Sequence, residues 1–237
     1  MGTLQIEDMG LKPSVRRTPL LPYLLEERLA LPAVMRLPAN FDDYIDLSHS
    51  CDYKIEYSNG DIVSILETDP FNSNVTMGTA TLTHEQIVMN IGFVLNQLFF
   101  RQSEFIVVGS NMPTFVGEGL SAYNPDVSVV RGTPDVRLYK KNKKSQNALF
   151  NPWLVVEVLS QGTRDYDLGE KFKNYRHIPS LEHIVFVAQY WTEVTIYSKS
   201  AGGSWSSALF ENLNDTIELA NGIISLEDIY MKIIHRD

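Results

Sequence analysis

The chain of 237 residues has one cysteine, Cys51. That excludes an internal disulfide framework and a cysteine-based zinc site, and it suits a reducing compartment. Long apolar runs are also missing: none approaches the ~20 residues that a membrane-spanning helix needs. Met1–Lys12 carries Glu7 and Asp8 and lacks the continuous apolar stretch of a secretory leader. The expectation is a cytoplasmic protein with no membrane partner. Positive charge is scarce, with 20 Lys and Arg against 29 Asp and Glu for a net charge of −9. That speaks against a broad phosphate-binding surface. No helix-turn-helix, zinc finger or arginine-rich stretch is present. A local basic groove is still compatible with net acidity. Lys140, Lys141, Lys143 and Lys144 fall within five residues, either as a solvated loop or as a contact for nucleic acid.

The remaining composition, 44% hydrophobic and 21% charged, is that of one globular domain with an extension. Pro13, Pro19, Pro22, Pro32 and Pro38 break residues 1–40 repeatedly. They predict an arm with a short helix around Tyr23–Leu29, lying on the body (residues 41–237) or on a partner subunit. From Tyr53 the pattern alternates into a strand, followed by Asn59-Gly60 and a second run over Ile62–Leu66, which is a hairpin signal. Thr83 and Gln86 fit a capping box. Ile87, Ile91, Val94, Leu95 and Leu98 then predict an amphipathic helix to about Phe100. Strands are expected at Phe105–Val108, Val127–Val130, Trp153–Leu159, Ile184–Val187 and Val194–Tyr197. Helices are expected over Asp165–His177 and near Leu226–Ile234, the latter capped by Ser225. The order predicts an α/β fold, a mixed sheet flanked by helices.

One residue is out of place in that pattern. Glu157 interrupts the apolar run Trp153–Leu159, where an unpaired charge would cost several kcal/mol. It must reach a cation, share a proton or open into a cleft. Asp126, after Pro125, begins another strand-like run. Carboxylates from two adjacent strands can hold Mg²⁺ or Mn²⁺, cations that take few protein carboxylates and retain several waters. The bland alternatives are a buried Glu157 paired with Lys or Arg, and a turn-opening Asp126. Asp167, Lys171 and Tyr175 follow at steps of four along one side of a helix. Lys171 could return to the strand's carboxyl end and stabilise phosphate charge, or simply pair with Asp167 at the surface.

Together Pro125-Asp126-Val127, the run Leu154–Ser160 around Glu157, and Arg164, Asp167, Leu168, Gly169, Lys171 and Tyr175 resemble the Uma family. These are restriction-endonuclease-like proteins of the PD-(D/E)xK nuclease superfamily. The similarity spans roughly residues 52–199. It implies a nuclease-like sheet with Asp126 and Glu157 as metal ligands, Glu56 as a third acidic group, Lys171 as the catalytic lysine, and His84 and Gln86 along the approach. Where the superfamily usually places its lysine, two residues after the glutamate, this chain has Leu159; Lys171 is then a displaced equivalent. The implied function is a Mg-dependent endonuclease acting on DNA as a homodimer. The alternative is a catalytically inactive interaction protein on the same fold.

Overall fold

The structure is a computed structural model that describes residues 21–69, 72–77, 80–117, 121–141 and 144–233. Asn59 and Gly60 both take positive φ, 52° and 94°. That is the turn conformation which joins two right-twisted strands with the least splay. It links the strands Glu56–Ser58 and Asp61–Ile65 in the expected hairpin. The hairpin belongs to a seven-stranded sheet, in which Asp61–Ile65 also pairs with Val34–Pro38. The second half of the proline-rich segment is therefore part of that sheet. The short helix there, Leu25–Leu29, matches its expected position; residues 1–20 lie outside the described residues.

Arg28, 0% exposed, fixes this segment. Its guanidinium donates to the carbonyls of Pro32, Ala33 and Ser64 and to Ser64 Oγ, at 2.7–2.9 Å. Burial lowers its pKa from the ordinary arginine value. Arg28→Ala should cost about 2–4 kcal/mol, because it strands buried carbonyls as well as opening a cavity. Denaturant unfolding measures this; a loss under about 0.5 kcal/mol would show that the segment does not need its anchor.

The second sheet has six strands and carries Glu157. Pro152–Leu159 lies at its middle, parallel to His183–Ala188 and antiparallel to Val127–Arg131. Phe105–Gly109 is its edge beyond Val127–Arg131, and Val194–Lys199 and Trp205–Phe210 extend the other side. Side chains on a strand alternate between faces. Leu154, Val156 and Val158 therefore enter the core beneath the helix Leu82–Phe99. Val155 and Leu159 enter a separate cluster with Tyr175, Ile178 and Phe186. Tyr123 and Val116 of the seven-stranded sheet join that cluster, so the segment from Arg164 to Tyr175 touches both sheets.

Several boundaries differ from the sequence expectations. The long helix is capped by Thr81, whose Oγ accepts the His84 N–H at 3.0 Å. Thr83 already lies inside the helix and cannot cap it, since a cap needs extended backbone. A helix at Phe41–Ser48, capped by Asn40, was not signalled. The lysine-rich run is not a plain loop: Val136–Lys141 and Lys144–Leu149 pair as antiparallel strands, with Lys141 opposite Lys144. Lys143 lies outside the described residues. The last helix is Leu226–Ile229, and Ser225 accepts the Glu227 N–H at 3.0 Å; residues 234–237 lie outside the described residues. Among the described residues no helix is long and apolar enough to cross a membrane.

Candidate active site

Asp126 reaches Glu157's strand through two backbone contacts. Its N–H donates to the Val156 carbonyl at 3.1 Å. Its Oδ2 accepts the Val158 N–H at 2.8 Å. The ladder of the sheet thus brings the Asp126 carboxylate beside the residue that follows Glu157. His84, from the first turn of the long helix, places Nε2 3.4 Å from the same Oδ2.

Lys171 arrives from a distorted helix. Arg164–Tyr166 and Phe172–Tyr175 are α-helical, and Asp167–Lys171 between them is a π-turn. Within it the Phe172 N–H reaches back five residues to the Asp167 carbonyl. Asp167 and Lys171 are both buried, whereas Glu170 turns toward Arg36, which forks onto it at 2.6 and 2.8 Å. Ser58 Oγ also donates to Glu170, at 2.5 Å. This clamp ties the turn to the hairpin.

The Lys171 ammonium sits among three carboxylates: Glu157 Oε1 at 2.9 Å, Glu56 Oε1 at 3.1 Å and Asp167 Oδ1 at 3.1 Å. Tyr175 donates its hydroxyl to the same Glu157 oxygen at 2.6 Å. Glu56 is held in place by the Asn124 N–H at 2.9 Å. Lys171 is therefore not the exposed partner of Asp167; it is 5% exposed and Glu157 is 3% exposed.

Charge is unbalanced here. Four carboxylates, Glu56, Asp126, Glu157 and Asp167, face one lysine and His84. Burial pushes the Glu157 carboxyl well above its ordinary pKa; Lys171 opposes this, and Asp167, Asp126 and Glu56 reinforce it. Burial raises Asp167 as well, again against Lys171. The Lys171 ammonium is desolvated by burial, yet Asp167, Glu157 and Glu56 hold its pKa well above the usual lysine value. Asp126 behaves differently. Burial alone would raise it, but His84, the Val158 N–H and Lys171 together keep it below the ordinary aspartate value.

These groups line a cavity of about 600 Å³ that includes Glu56, His84, Asp126, Glu157, Asp167 and Lys171. Gln86 does not join them. Its amide donates to the Met231 and Lys232 carbonyls at 3.3 Å, correcting the expectation that it lines the approach. Leu159 is buried among apolar side chains, so a lysine at that position would have no polar outlet. Asp167 and Tyr175, read from the sequence as helical neighbours of Lys171 and as part of the family resemblance but given no role in the site, belong to the cluster. Their fourfold spacing was the available signal.

No set of three His, Cys, Asp or Glu donors converges as a metal cage among the described residues. The donor chemistry nevertheless fits a hard divalent cation. Asp126 and Glu157 offer carboxylate oxygens to one cavity, and the surplus negative charge that raises Glu157 is what a dication offsets.

Residues 41–229 match the Uma2 family, described as “Putative restriction endonuclease”. Protein sll1609 of Synechocystis sp. is 28% identical over 179 residues, covering 75% of this chain and 90% of that protein. Protein slr1290 of the same organism is 39% identical over 95 residues, 40% of this chain and 46% of that one. Among solved structures, “a putative nuclease belonging to DUF820” from Anabaena variabilis superposes with a TM-score of 0.55 at 15% identity, over 90% of this chain and all of that one. At that identity the likeness shows the fold, a restriction-endonuclease-like mixed sheet flanked by helices.

Proposed function

This chain belongs to the Uma2 family, and from that membership and the cavity chemistry we propose that it is a cytoplasmic, Mg²⁺- or Mn²⁺-dependent endonuclease that hydrolyses DNA phosphodiester bonds. The observation that carries the reading is the delivery of Lys171 from a helix to within 2.9 Å of Glu157, in the cavity that Asp126 shares. In this reading Lys171 takes the part of the lysine missing from the strand at Leu159.

Asp126 and Glu157 would hold the cation, which when bound lowers the pKa of a coordinated water and offsets phosphate charge. The rest falls to the chain's own groups. Lys171 and Tyr175 fix Glu157 by its Oε1 and leave its other oxygen for a ligand. The Val158 N–H and His84 fix Asp126 in the same way, by its Oδ2. The ammonium of Lys171, charged throughout the physiological range, adds positive potential where phosphate charge develops. Hydrolysis adds water across one P–O bond: the water oxygen bonds phosphorus, and the departing sugar oxygen takes a proton. Two copies related by a twofold axis would offer one site to each strand of a duplex.

A specific observation favours the inactive alternative: Lys171 already satisfies three carboxylates, so little of its charge is spare. Calorimetric titration with Mn²⁺ or Mg²⁺ separates the readings. The parent should bind, Asp126→Asn should not, and only the parent should cut supercoiled DNA in the presence of metal. A parent that neither binds cation nor nicks DNA, with DNA present or absent, would sink the enzymatic reading in favour of an interaction role.

A further inference from the structure

The long helix has two apolar sides. Ile87, Ile91, Val94, Leu95 and Phe99 face the core. On the opposite side Leu82, Met89, Phe93 and Phe100, at the helix C-cap, are 83%, 70%, 61% and 85% exposed. At about 100° per residue these four fall within roughly 40° of one another, so they form one row along the whole helix. Scattered exposed apolar residues need no explanation, but a continuous row of four large ones does.

We propose that this row is a twofold interface with a second copy of the chain, two such helices packing antiparallel. Three observations on the helix select a copy of itself over another protein. First, the row is a palindrome about Ile91. Leu82 and Phe100 lie nine residues either side of it, and Met89 and Phe93 lie two either side. An antiparallel pair with its dyad at Ile91 sets Leu82 against the other copy's Phe100, and Met89 against the other copy's Phe93. That reciprocity is what an isologous contact requires. Second, the flanks pair in the same register: Glu85 falls level with Gln97 of the other copy, and Gln86 level with its Asn96. Glu85 is the only Asp, Glu, Lys or Arg in Leu82–Phe99, and the dyad keeps its two copies at opposite ends. A chain of net charge −9 repels its own copy, and contact through its least charged long surface minimises that repulsion. Third, the area suffices. Four large side chains at these exposures supply roughly 500 Å², taking 150–200 Å² each. Amide flanks and the half-exposed Met231, whose carbonyl is bonded by Gln86 and Asn90, extend the patch toward the ~800 Å² per partner of a stable dimer.

The inference is independent of catalysis, and sedimentation equilibrium of the full chain tests it. The parent should sediment at twice its 26.9 kDa chain mass in the low micromolar range. Phe93→Glu brings two charges into the apolar centre and should weaken association at least about 30-fold, with unchanged circular dichroism and melting temperature. Ile106→Glu, on the exposed side of the edge strand, should leave the dimer intact. A monomeric parent at about 50 µM, far above the Kd of stable dimers, would overturn the proposal. So would a Phe93→Glu variant that stays dimeric, or an Ile106→Glu variant that alone dissociates. A monomeric parent in which Phe93→Glu lowers the melting temperature would show instead that another segment of the same chain covers the row.

Discussion

Lys171→Met should destabilise the protein by about 3–5 kcal/mol near neutral pH, the usual consequence of removing one member of a buried ionic cluster. The methionine fills much of the volume, so the loss is electrostatic: Glu56, Glu157 and Asp167 lose the group that compensates them. The deficit depends on pH in a defined direction. Burial already raises Glu157 and Asp167, and Lys171 is the largest influence restraining both. Without it their folded-state pKa values climb further above the unfolded ones, and the folded variant binds more protons. Stability therefore falls as pH rises from the ordinary carboxylate range, about 4, through those raised values. Melting the variant between pH 5 and 8, roughly the span of maximal stability for most proteins, should show it recovering toward the parent at the acid end. A variant that melts like the parent at every pH would mean that Lys171 does not neutralise this cluster. DNA cleavage, measured at a pH where the variant is folded, should fall by about 10²–10³-fold, as when one electrostatic stabiliser is removed elsewhere.

Glu157→Gln should separate stability from function. Glutamine keeps the shape and removes one of the charges that crowd Lys171, while Asp167 and Glu56 still neutralise the ammonium. We expect a stability gain of about 0.5–2 kcal/mol, typical where an active site holds surplus like charge. Cation binding should disappear, and cleavage should drop to background. A variant that is less stable and still binds Mn²⁺ as the parent does would place the ligand elsewhere and make Glu157 a structural ion-pair member.

How much of this was legible in the sequence follows from the range of the forces involved. Glu157 announced itself because a carboxylate inside an apolar strand conflicts with burial, and that conflict is local in the chain. The helix Leu82–Phe99, the central strands and the Asn59-Gly60 turn were readable because periodicity and turn chemistry act over a few residues. Val34–Pro38 at one edge of the seven-stranded sheet and Lys144–Leu149 next to its other edge have weak alternation of their own and owe their form to pairing across the sheet. The cap moved from Thr83 to Thr81 although only Thr83 has the capping-box Gln three residues on, because the extended backbone that a cap needs falls at Thr81. Glu56 entered through family resemblance alone, and its approach to Lys171 depends on the seven-stranded sheet packing against the helical segment. Gln86 was misplaced because a helix start says nothing about which way a side chain will find acceptors. The outward row from Leu82 to Phe100 could be read as helical, but not as exposed.

The π-turn at Asp167–Lys171 also makes the site sensitive to chain length. A turn closed across five residues in place of four holds one residue more than the regular helix would. Deleting Gly169, whose Cα has open space around it, would let the segment relax to α-helix, and every residue on one side would rotate by about 100° relative to the other. Either Lys171 and Tyr175 would leave Glu157, or Asp167 would swing out of the cavity. A single-codon gap here is therefore not equivalent to a conservative substitution nearby: it changes the phase of the helix that delivers the lysine.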